Sequence, residues 1–296
     1  MLDAEPTRNP AAPDVELVRG SITDPAIVRH AVRGADVVIH LAAKVDPRST
    51  DVAELQKINV EGTRTVLTAA VQAGCPLFLH LSSAGVYGHP KGAHPFRESD
   101  QPAPATPYQQ SKWEAEKTIQ SAELRSTMVN VLRPTGIYGP GSRLEIPAYR
   151  KVARQKWALE LSGGLIVHPT HVSDVTAAIC AMLGRPAPNR TVLNLGGERS
   201  LRLEEFHEIV AGILKVRRRR LRIPSPISAP PAYLAARLLS LAGKPEPRLL
   251  RLSRGAILNA AVDDTVLRER YPDLRVVELG RGVQEHIAWA RHEGLI

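Results

Sequence analysis

Short apolar runs alternate with longer amphipathic stretches along the first two thirds of the chain. Apolar runs lie at 37–43, 77–81 and 128–132, and further short strands are predicted at 15–18 and 192–195. Runs of this length without polar alternation are typical of strands buried on both faces of a parallel sheet. Stretches with helical periodicity lie at about 24–33, 52–73, 107–124 and 171–184. This order predicts an α/β fold in which crossover helices connect parallel strands.

The alternation becomes irregular after Pro140. The pattern there predicts short strands at 165–168 and 221–223, and helices near 147–157, 201–214, 232–242, 247–258, 264–270 and 281–293. We therefore expect a flexible lead-in over 1–13, a sheet domain over 14–160 and a smaller helix-rich lobe mostly over 161–296, with 165–197 returning to the sheet.

Charge adds a second pattern, because the formal net charge is +9. Much of it lies late in the chain, at Arg217, Arg218, Arg219, Arg220, Arg222, Arg248, Arg251 and Arg254. A nucleic-acid site, an anionic membrane contact and a solvated basic surface are the alternatives. Since no nucleic-acid-binding motif accompanies the arginines, we favour the solvated surface and expect no nucleic-acid partner. Peripheral membrane contact is the weaker alternative.

The chain also lacks the patterns of membrane spans and of secretion signals. No apolar run approaches the roughly 18 residues of a membrane span, and the first residues have no basic region followed by an apolar stretch. Cys75 and Cys180 have no partner motif. We expect a cytoplasmic protein with two reduced thiols.

Candidate chemistry lies between residues 77 and 140. Tyr108 and Lys112 are four positions apart, so on a helix they share one face. An ammonium near a phenol lowers the phenol pKa from about 10, which makes it a plausible general acid or base. Ser82 and Ser83 follow the predicted strand 77–81, at the sheet edge where ligands bind in open α/β folds.

Several motifs in this order resemble those of the extended short-chain dehydrogenase/reductase family, which includes NAD-dependent epimerases, dehydratases and 3β-hydroxysteroid dehydrogenases. The matching segments are 38–43, 59–63, 82–83, Tyr108-x-x-x-Lys112 and Arg133-Pro134. The resemblance covers roughly residues 15–200 and implies a Rossmann-like dinucleotide-binding domain with a C-terminal substrate lobe. It also implies a homodimer that pairs the helix near 52–73 and the Tyr108 helix.

The resemblance implies a role for each matching residue. Tyr108 would exchange a proton with the reacting oxygen, Lys112 would lower the Tyr108 pKa and hold the nicotinamide ribose, and Ser83 would orient the substrate oxygen. Ser82 is the alternative to Ser83. The implied cofactor-binding positions are Leu41, Ala42, Ala43, Asn59, Ser82, Tyr108, Lys112, Pro134, Thr135, Gly136 and Ile137. His40 and His171 lack matching partners, so we expect structural histidines and no metal.

The chain departs from the family pattern at the cofactor's pyrophosphate. Relatives begin with a strand, a Gly-rich G-x-x-G-x-x-G turn, a helix and a second strand, and the turn holds the pyrophosphate. The 296 residues contain no such turn, and the strand at 15–18 matches the family's third. We therefore expect the first βαβ unit to be missing from this chain. The explanations, in order of preference, are a misplaced start, a real loss of the unit and its supply by another polypeptide. The expected cofactor is NAD or NADP.

Substrate class rests on two further departures. Gly136 stands where nucleotide-sugar enzymes of the family carry an Asn, and no Arg precedes the His171 segment. We therefore expect hydride transfer between nicotinamide and a secondary alcohol or ketone, on a bulky apolar small molecule. A nucleotide-sugar epimerase or dehydratase is the first alternative, and a cofactor-deficient binding or regulatory protein is the second. The apolar segment 232–242 is expected to pack in the small lobe rather than form a lid or membrane-surface helix.

Overall fold

The three-dimensional structure is a computed structural model, and it describes residues 2–3, 15–46, 49–89, 94–155, 157–161, 164–223, 234–235, 237–239 and 257–296. The strands are β1 (Leu2–Asp3), β2 (Val18–Arg19), β3 (Val37–His40), β4 (Leu77–Leu81), β5 (Met128–Pro134), β6 (Ile137–Tyr138), β7 (Trp157–Leu161), β8 (Gly164–Val167), β9 (Thr170–His171), β10 (Thr191–Leu195), β11 (Leu201–Arg202), β12 (Arg219–Ile223) and β13 (Ile257–Asn259). The helices are α1 (Pro25–Ala31), α2 (Val52–Leu55), α3 (Gly62–Gln72), α4 (Pro107–Ser121), α5 (Ile146–Arg154), α6 (Val172–Gly184), α7 (Leu203–Leu214), α8 (Thr265–Arg270) and α9 (Leu279–His292).

Four parallel strands form the main sheet, in the order β10-β5-β4-β3. Successive side chains of β4 point to opposite faces, as strand geometry requires. Phe78 belongs to a core with α1, α3 and α4, whereas Leu79 belongs to a core with α6, β10 and α8. Helices on both faces and buried strands between them confirm the predicted parallel α/β fold.

The β3 edge of this sheet is open within the described part of the chain. There, β3 pairs only with β4, and β2 pairs with β1 in a separate two-stranded ribbon. Ile39 on β3 and Leu41 just after it are 40% and 52% exposed. Continuous apolar strands normally have neighbours on both sides. Within the described residues, β2 therefore lies outside the main sheet.

The C-terminal lobe has a core of its own, built from α5, α7 and α9. Tyr149 of α5, Val210 of α7 and Val283 of α9 are fully buried in it. Tyr138 of β6 belongs to the same core. Strand β6 follows the main-sheet strand β5 along the chain and pairs with β9. The lobe therefore packs beside the carboxyl edge of the sheet.

Three predicted elements differ in the structure. Trp157, placed at a helix end, begins β7, because β7 pairs in parallel with β12. Ile257–Asn259, placed in a helix, forms β13 against β8, while 247–256 lies outside the described residues. Of the lead-in 1–13, Leu2–Asp3 forms β1; residues 4–13 are not described. The strand conformation of these segments depends on pairing with other strands, and local periodicity does not indicate that pairing.

The structure describes both cysteines and part of the apolar segment 232–242. Cys75 is buried, Cys180 is exposed and both are free thiols. Of the apolar segment 232–242, residues 234–235 and 237–239 are helical and the rest lies outside the described residues. Among the residues that the structure describes, no helix is long and apolar enough to cross a membrane.

Candidate active site

The candidate site lies where parallel strands of the main sheet end. Because β3, β4, β5 and β10 run in the same direction, their carboxyl ends meet at one edge. Ser82 and Ser83 directly follow β4, and Ser83 caps a short 3₁₀ helix, Ala84–Tyr87. The first turns of helix α4 lie beside this edge. Polar groups from the strand ends and from α4 are thereby brought together.

The start of α4 is fixed by its own sequence. Thr106 and Gln109 form a capping box in which the Thr106 hydroxyl accepts from Gln109 N, and the Gln109 side chain accepts from Thr106 N. Pro107 occupies the first helical turn, where its missing N–H costs nothing. This cap orients the first turn, which carries Tyr108, and Lys112 follows one turn later.

The two serines point to different partners. The Ser83 hydroxyl accepts from Gly85 N at 3.0 Å, and its side chain interacts with the Tyr108 phenol. Ser82 is buried, and its hydroxyl donates to the Glu116 carboxylate. The geometry therefore brings Ser83 to Tyr108 and turns Ser82 away from it.

Burial sets the protonation of the Tyr–Lys pair. It raises the pKa of the Tyr108 phenol above its usual value, and the interaction with the Ser83 side chain opposes that rise. Burial also lowers the pKa of Lys112 to about 8, against the attraction of the nearby Glu116 carboxylate.

The expected lowering of the Tyr108 pKa by Lys112 is not found in this arrangement. The Lys112 ammonium donates to the Leu81 carbonyl at 2.8 Å, while desolvation of the phenol outweighs the opposing interaction with Ser83. Tyr108 is therefore a protonated phenol at neutral pH.

Asn59 holds the loop after β3 rather than facing the site. It lies in a π-helical segment, Gln56–Glu61, that joins α2 to α3, and it is 1% exposed. Its Oδ1 accepts from Lys44 N at 2.7 Å, and its Nδ2 donates to Lys44 O and Ser111 Oγ at 3.2 and 2.9 Å. All its amide groups are thus engaged. Leu41 and Ala42, on the loop that it fixes, are exposed at the carboxyl end of β3.

The segment after β5 joins the site to the small lobe. Pro134 is buried, Gly136 is exposed, and Thr135 and Ile137 are half-buried. The Thr135 hydroxyl donates to the His168 carbonyl and lies 2.7 Å from Thr170 Oγ1. Both contacts of the Thr135 hydroxyl are therefore made with residues of the lobe, whereas Gly136 is exposed.

A buried polar network beside the site was missed by sequence reasoning. Arg133 forms a salt bridge with Glu116 at 2.6 Å, and its Nη1 donates to Tyr87 Oη at 2.9 Å. The Tyr87 hydroxyl donates to Asn194 Oδ1 at 2.8 Å. One signal was available, since an Arg in a buried strand needs an acidic partner. Glu116, one turn beyond Lys112, supplies it.

The histidines considered as metal ligands have structural partners. His40 Nε2 lies 3.0 Å from Thr63 Oγ1, and burial lowers the pKa of His40 to about 3. The His171 side chain accepts from Ser173 N and caps α6. Within the described residues, no group of three or more His, Cys, Asp or Glu is arranged to bind a metal.

Comparison with known proteins identifies the family. The 3-beta hydroxysteroid dehydrogenase/isomerase family matches residues 5–190, more than half of the chain. The chain belongs to this family. The expected resemblance to the extended short-chain dehydrogenases is thereby confirmed.

Two curated relatives show how much of a longer protein the chain resembles. Human 3 beta-hydroxysteroid dehydrogenase type 7 is 35% identical over 157 residues, which cover 47% of this chain and 41% of that protein. 3beta-hydroxysteroid-dehydrogenase/decarboxylase isoform 2 of Arabidopsis thaliana is 28% identical over 300 residues, which cover 92% of this chain and 51% of that protein. The chain spans about half the length of these relatives or less.

A solved structure shares the fold. The Bordetella bronchiseptica enzyme WbmG, in complex with NAD and UDP, has a TM-score of 0.72 and 20% sequence identity to this protein. The match covers 97% of this chain and 83% of that chain. At this level of identity, the likeness shows the common architecture alone.

Proposed function

We propose that this protein is an NAD(P)-dependent oxidoreductase that acts on a secondary alcohol or ketone of a bulky, apolar small molecule. The observation that carries the proposal is the meeting of three groups at the carboxyl edge of the sheet. The Ser83 side chain interacts with the Tyr108 phenol, and Lys112 lies buried one turn further along α4. A hydroxyl, a phenol and a buried ammonium in this order suit proton transfer at a carbonyl oxygen.

In the reductive direction, the Tyr108 phenol donates its proton to the carbonyl oxygen. The raised pKa of Tyr108 keeps that proton available at neutral pH. The Ser83 hydroxyl donates a hydrogen bond to the same oxygen and fixes its position. A bound nicotinamide would supply the hydride to the carbonyl carbon in this direction and accept it in the reverse. Electrons and protons then balance, because the carbonyl gains one hydride and one proton.

The residues present fit one end of a nicotinamide dinucleotide. Lys112 offers a buried ammonium beside Tyr108, and the exposed backbone at Leu41, Ala42 and Gly136 lies at the ends of β3 and β5. These groups would hold the nicotinamide and its ribose. The pyrophosphate end has no Gly-rich turn among the 296 residues to hold it.

The substrate class follows from the family and from the open position of Gly136. The human and Arabidopsis relatives are named as 3β-hydroxysteroid dehydrogenases. Gly136 is exposed, and a Cβ there would meet nothing within 4 Å, so no neighbouring group crowds a substrate at this position. We therefore propose a sterol-like alcohol or ketone.

A nucleotide-sugar substrate is the second candidate, because WbmG shares the fold and is described with UDP. Titration of the protein with UDP separates the two. Tight UDP binding would support the nucleotide-sugar candidate, and its absence would leave the apolar substrate.

Tyr108→Phe tests the proposed chemistry. The substitution removes only the phenol oxygen, so kcat for oxidation of a 3β-hydroxysterol should fall about 10²- to 10⁴-fold, the usual contribution of general acid–base catalysis. Nicotinamide absorbance is followed with NAD and with NADP. Tyr271→Phe is the matched control, since its hydroxyl contacts the Arg185 carbonyl away from the site.

The measurement is made on the 296-residue chain and on the same chain joined to the Gly-rich unit of a family relative. Full activity of Tyr108→Phe in either form would overturn the assignment of the proton donor. Inactivity of both wild-type forms on every secondary alcohol tested would favour a binding or regulatory protein.

A further inference from the structure

One face of α4 faces the end of β4 and the two serines that follow it. Three side chains on this face, spaced by one helical turn, interact with residues 81–83: Lys112 donates to the Leu81 carbonyl, Glu116 accepts from the Ser82 hydroxyl, and Tyr108 interacts with Ser83. Residues four apart share a helix face, so the helix is attached to the strand end along two turns. Two of these contacts involve the proton-transfer groups. The third, made by Glu116, has no part in the chemistry described above.

Glu116 is held in one orientation by Arg133. The two side chains are 0% and 3% exposed. Arg133 Nε lies 3.0 and 3.2 Å from the two carboxylate oxygens, and Nη2 lies 2.6 Å from Oε2. The Ser82 hydroxyl donates to Oε1. A buried ion pair is tolerated only when its geometry and remaining hydrogen bonds are good, and this bidentate pair meets both conditions.

The network continues from Arg133 across the sheet edge. Arg133 Nη1 donates to the Tyr87 hydroxyl, which donates to Asn194 on β10. Asn194 in turn donates to the Phe96 carbonyl at 3.2 Å. Strand β5, strand β10 and the segment after β4 are therefore tied to α4 through a single carboxylate.

We propose that Glu116 is a positioning residue of the site: its carboxylate fixes the Ser82–Ser83 strand end against α4, and its charge acts on Lys112 one helical turn away. The inference rests on the proposed function for the identity of the reacting groups. The electrostatics support it, because burial lowers the pKa of Lys112 and the charge of Glu116 opposes that fall. Removal of the carboxylate should therefore release the Lys112 proton more readily and loosen Ser83.

The first test measures Lys112 without any activity assay. Protein labelled with ¹³C at the lysine ε-carbons is titrated by NMR, and Lys112→Arg assigns the resonance. In Glu116→Gln, the Lys112 midpoint should fall by about 1–3 pH units, the usual effect of a nearby opposite charge. Glu114→Gln is the matched control, because it removes the same charge from the same helix while its partner there is Gln110.

A second variant guards against misfolding. Glu116→Gln alone leaves Arg133 buried without its partner, so the pair variant Glu116→Gln/Arg133→Met is titrated beside it. A Lys112 midpoint that falls in Glu116→Gln, and falls less in the pair variant because the Arg133 charge is lost as well, supports the action of the Glu116 charge on Lys112. A wild-type midpoint in folded Glu116→Gln would overturn it.

The kinetic test separates this inference from the proposed function. Glu116→Gln should lower kcat at least tenfold with little change in KM, because it displaces proton-transfer groups and not the substrate surface. Glu116→Asp should restore part of the loss. Ser82→Ala, which removes only the strand contact, should give a smaller loss in kcat.

Tyr108→Phe decides which proposal has failed. If Tyr108→Phe keeps full activity, the proposed function is wrong, whatever Glu116→Gln does to kcat. If Tyr108→Phe is inactive and Glu116→Gln leaves both kcat and the Lys112 midpoint unchanged, the positioning role alone is overturned.

Discussion

Lys112 carries a charge in a place where water cannot stabilise it. It is 3% exposed, and its ammonium donates to the Leu81 carbonyl. Desolvation favours the neutral amine, while the Glu116 carboxylate favours the ammonium. The balance leaves its pKa at about 8, so the charge of this residue changes around pH 8. Tyr108, beside it, has a raised pKa for the same reason of burial.

Lys112→Met should change how stability depends on pH. The folded pKa of Lys112, about 8, lies below its ordinary value of 10.5. Between these values the unfolded chain binds more protons, so the wild-type free energy of unfolding gains from Lys112 as pH rises from 8 to 10.5. The gain is about 3 kcal/mol at most, and Lys112→Met should lack it.

Urea unfolding at several pH values between 7.5 and 10.5 measures the difference. Lys117→Met, an exposed position on the same helix, controls for the loss of a lysine. Parallel stability profiles for wild-type and Lys112→Met would contradict the burial argument.

Helix α4 is the element on which the site depends. Its first turn carries Tyr108, its second carries Lys112, and its third carries Glu116. The other groups of the site lie at the end of β4. Helix α4 must therefore begin at the right residue for its side chains to face them. The capping box at Thr106 and Gln109 sets that beginning.

Thr106→Ala should therefore affect both stability and activity. Loss of an N-cap hydroxyl costs about 1 kcal/mol, and the turn that it frees carries Tyr108. We expect a lower melting temperature and a several-fold fall in kcat. Thr118→Ala, in the interior of the same helix, is the control. Thermal unfolding and steady-state kinetics together check the prediction, and an unchanged Thr106→Ala protein would show that tertiary contacts alone fix the helix start.

At the scale of the whole molecule, the main sheet has one core on each face, and the small lobe has a third core beside the carboxyl edge. The main sheet is covered by α1, α3 and α4 on one face and by α6 and α8 on the other. The small lobe has its separate core in α5, α7 and α9. Contacts such as Asp174 with Val277 N, at 2.8 Å, join the two. The proton-transfer groups are therefore positioned by the sheet, and the lobe flanks them through Thr135 and Thr170.

Dinucleotide affinity is predicted at this same scale. Within the described residues β3 pairs only with β4, and the 296 residues hold no Gly-rich turn. Since backbone amides of such a turn provide most pyrophosphate contacts, we expect the chain by itself to bind NAD and NADP more weakly than micromolar. Calorimetric titration measures this. Micromolar affinity would refute the prediction, and joining the Gly-rich unit of a relative should strengthen binding.

The sequence by itself determined the parallel α/β architecture, because continuous apolar runs and helical periodicity are local properties. It also indicated Ser83, Tyr108 and Lys112, since four-residue spacing on a helix and a position after a strand can be read directly. Strands β4 and β10 and helix α6 lie close to their predicted places. The strands β7 and β13 were not predicted, because their pairing partners β12 and β8 are distant in sequence.

Only the tertiary structure decided which serine meets Tyr108, and what Lys112 does. Both serines follow the same strand, but alternation sends Ser82 to Glu116 and leaves Ser83 beside the phenol. Burial reversed the expected direction of the Tyr108 pKa, since desolvation depends on packing that no local pattern reports. The ion pair between Glu116 and Arg133 joins residues 17 positions apart on different elements. It can form only once α4 packs against the sheet.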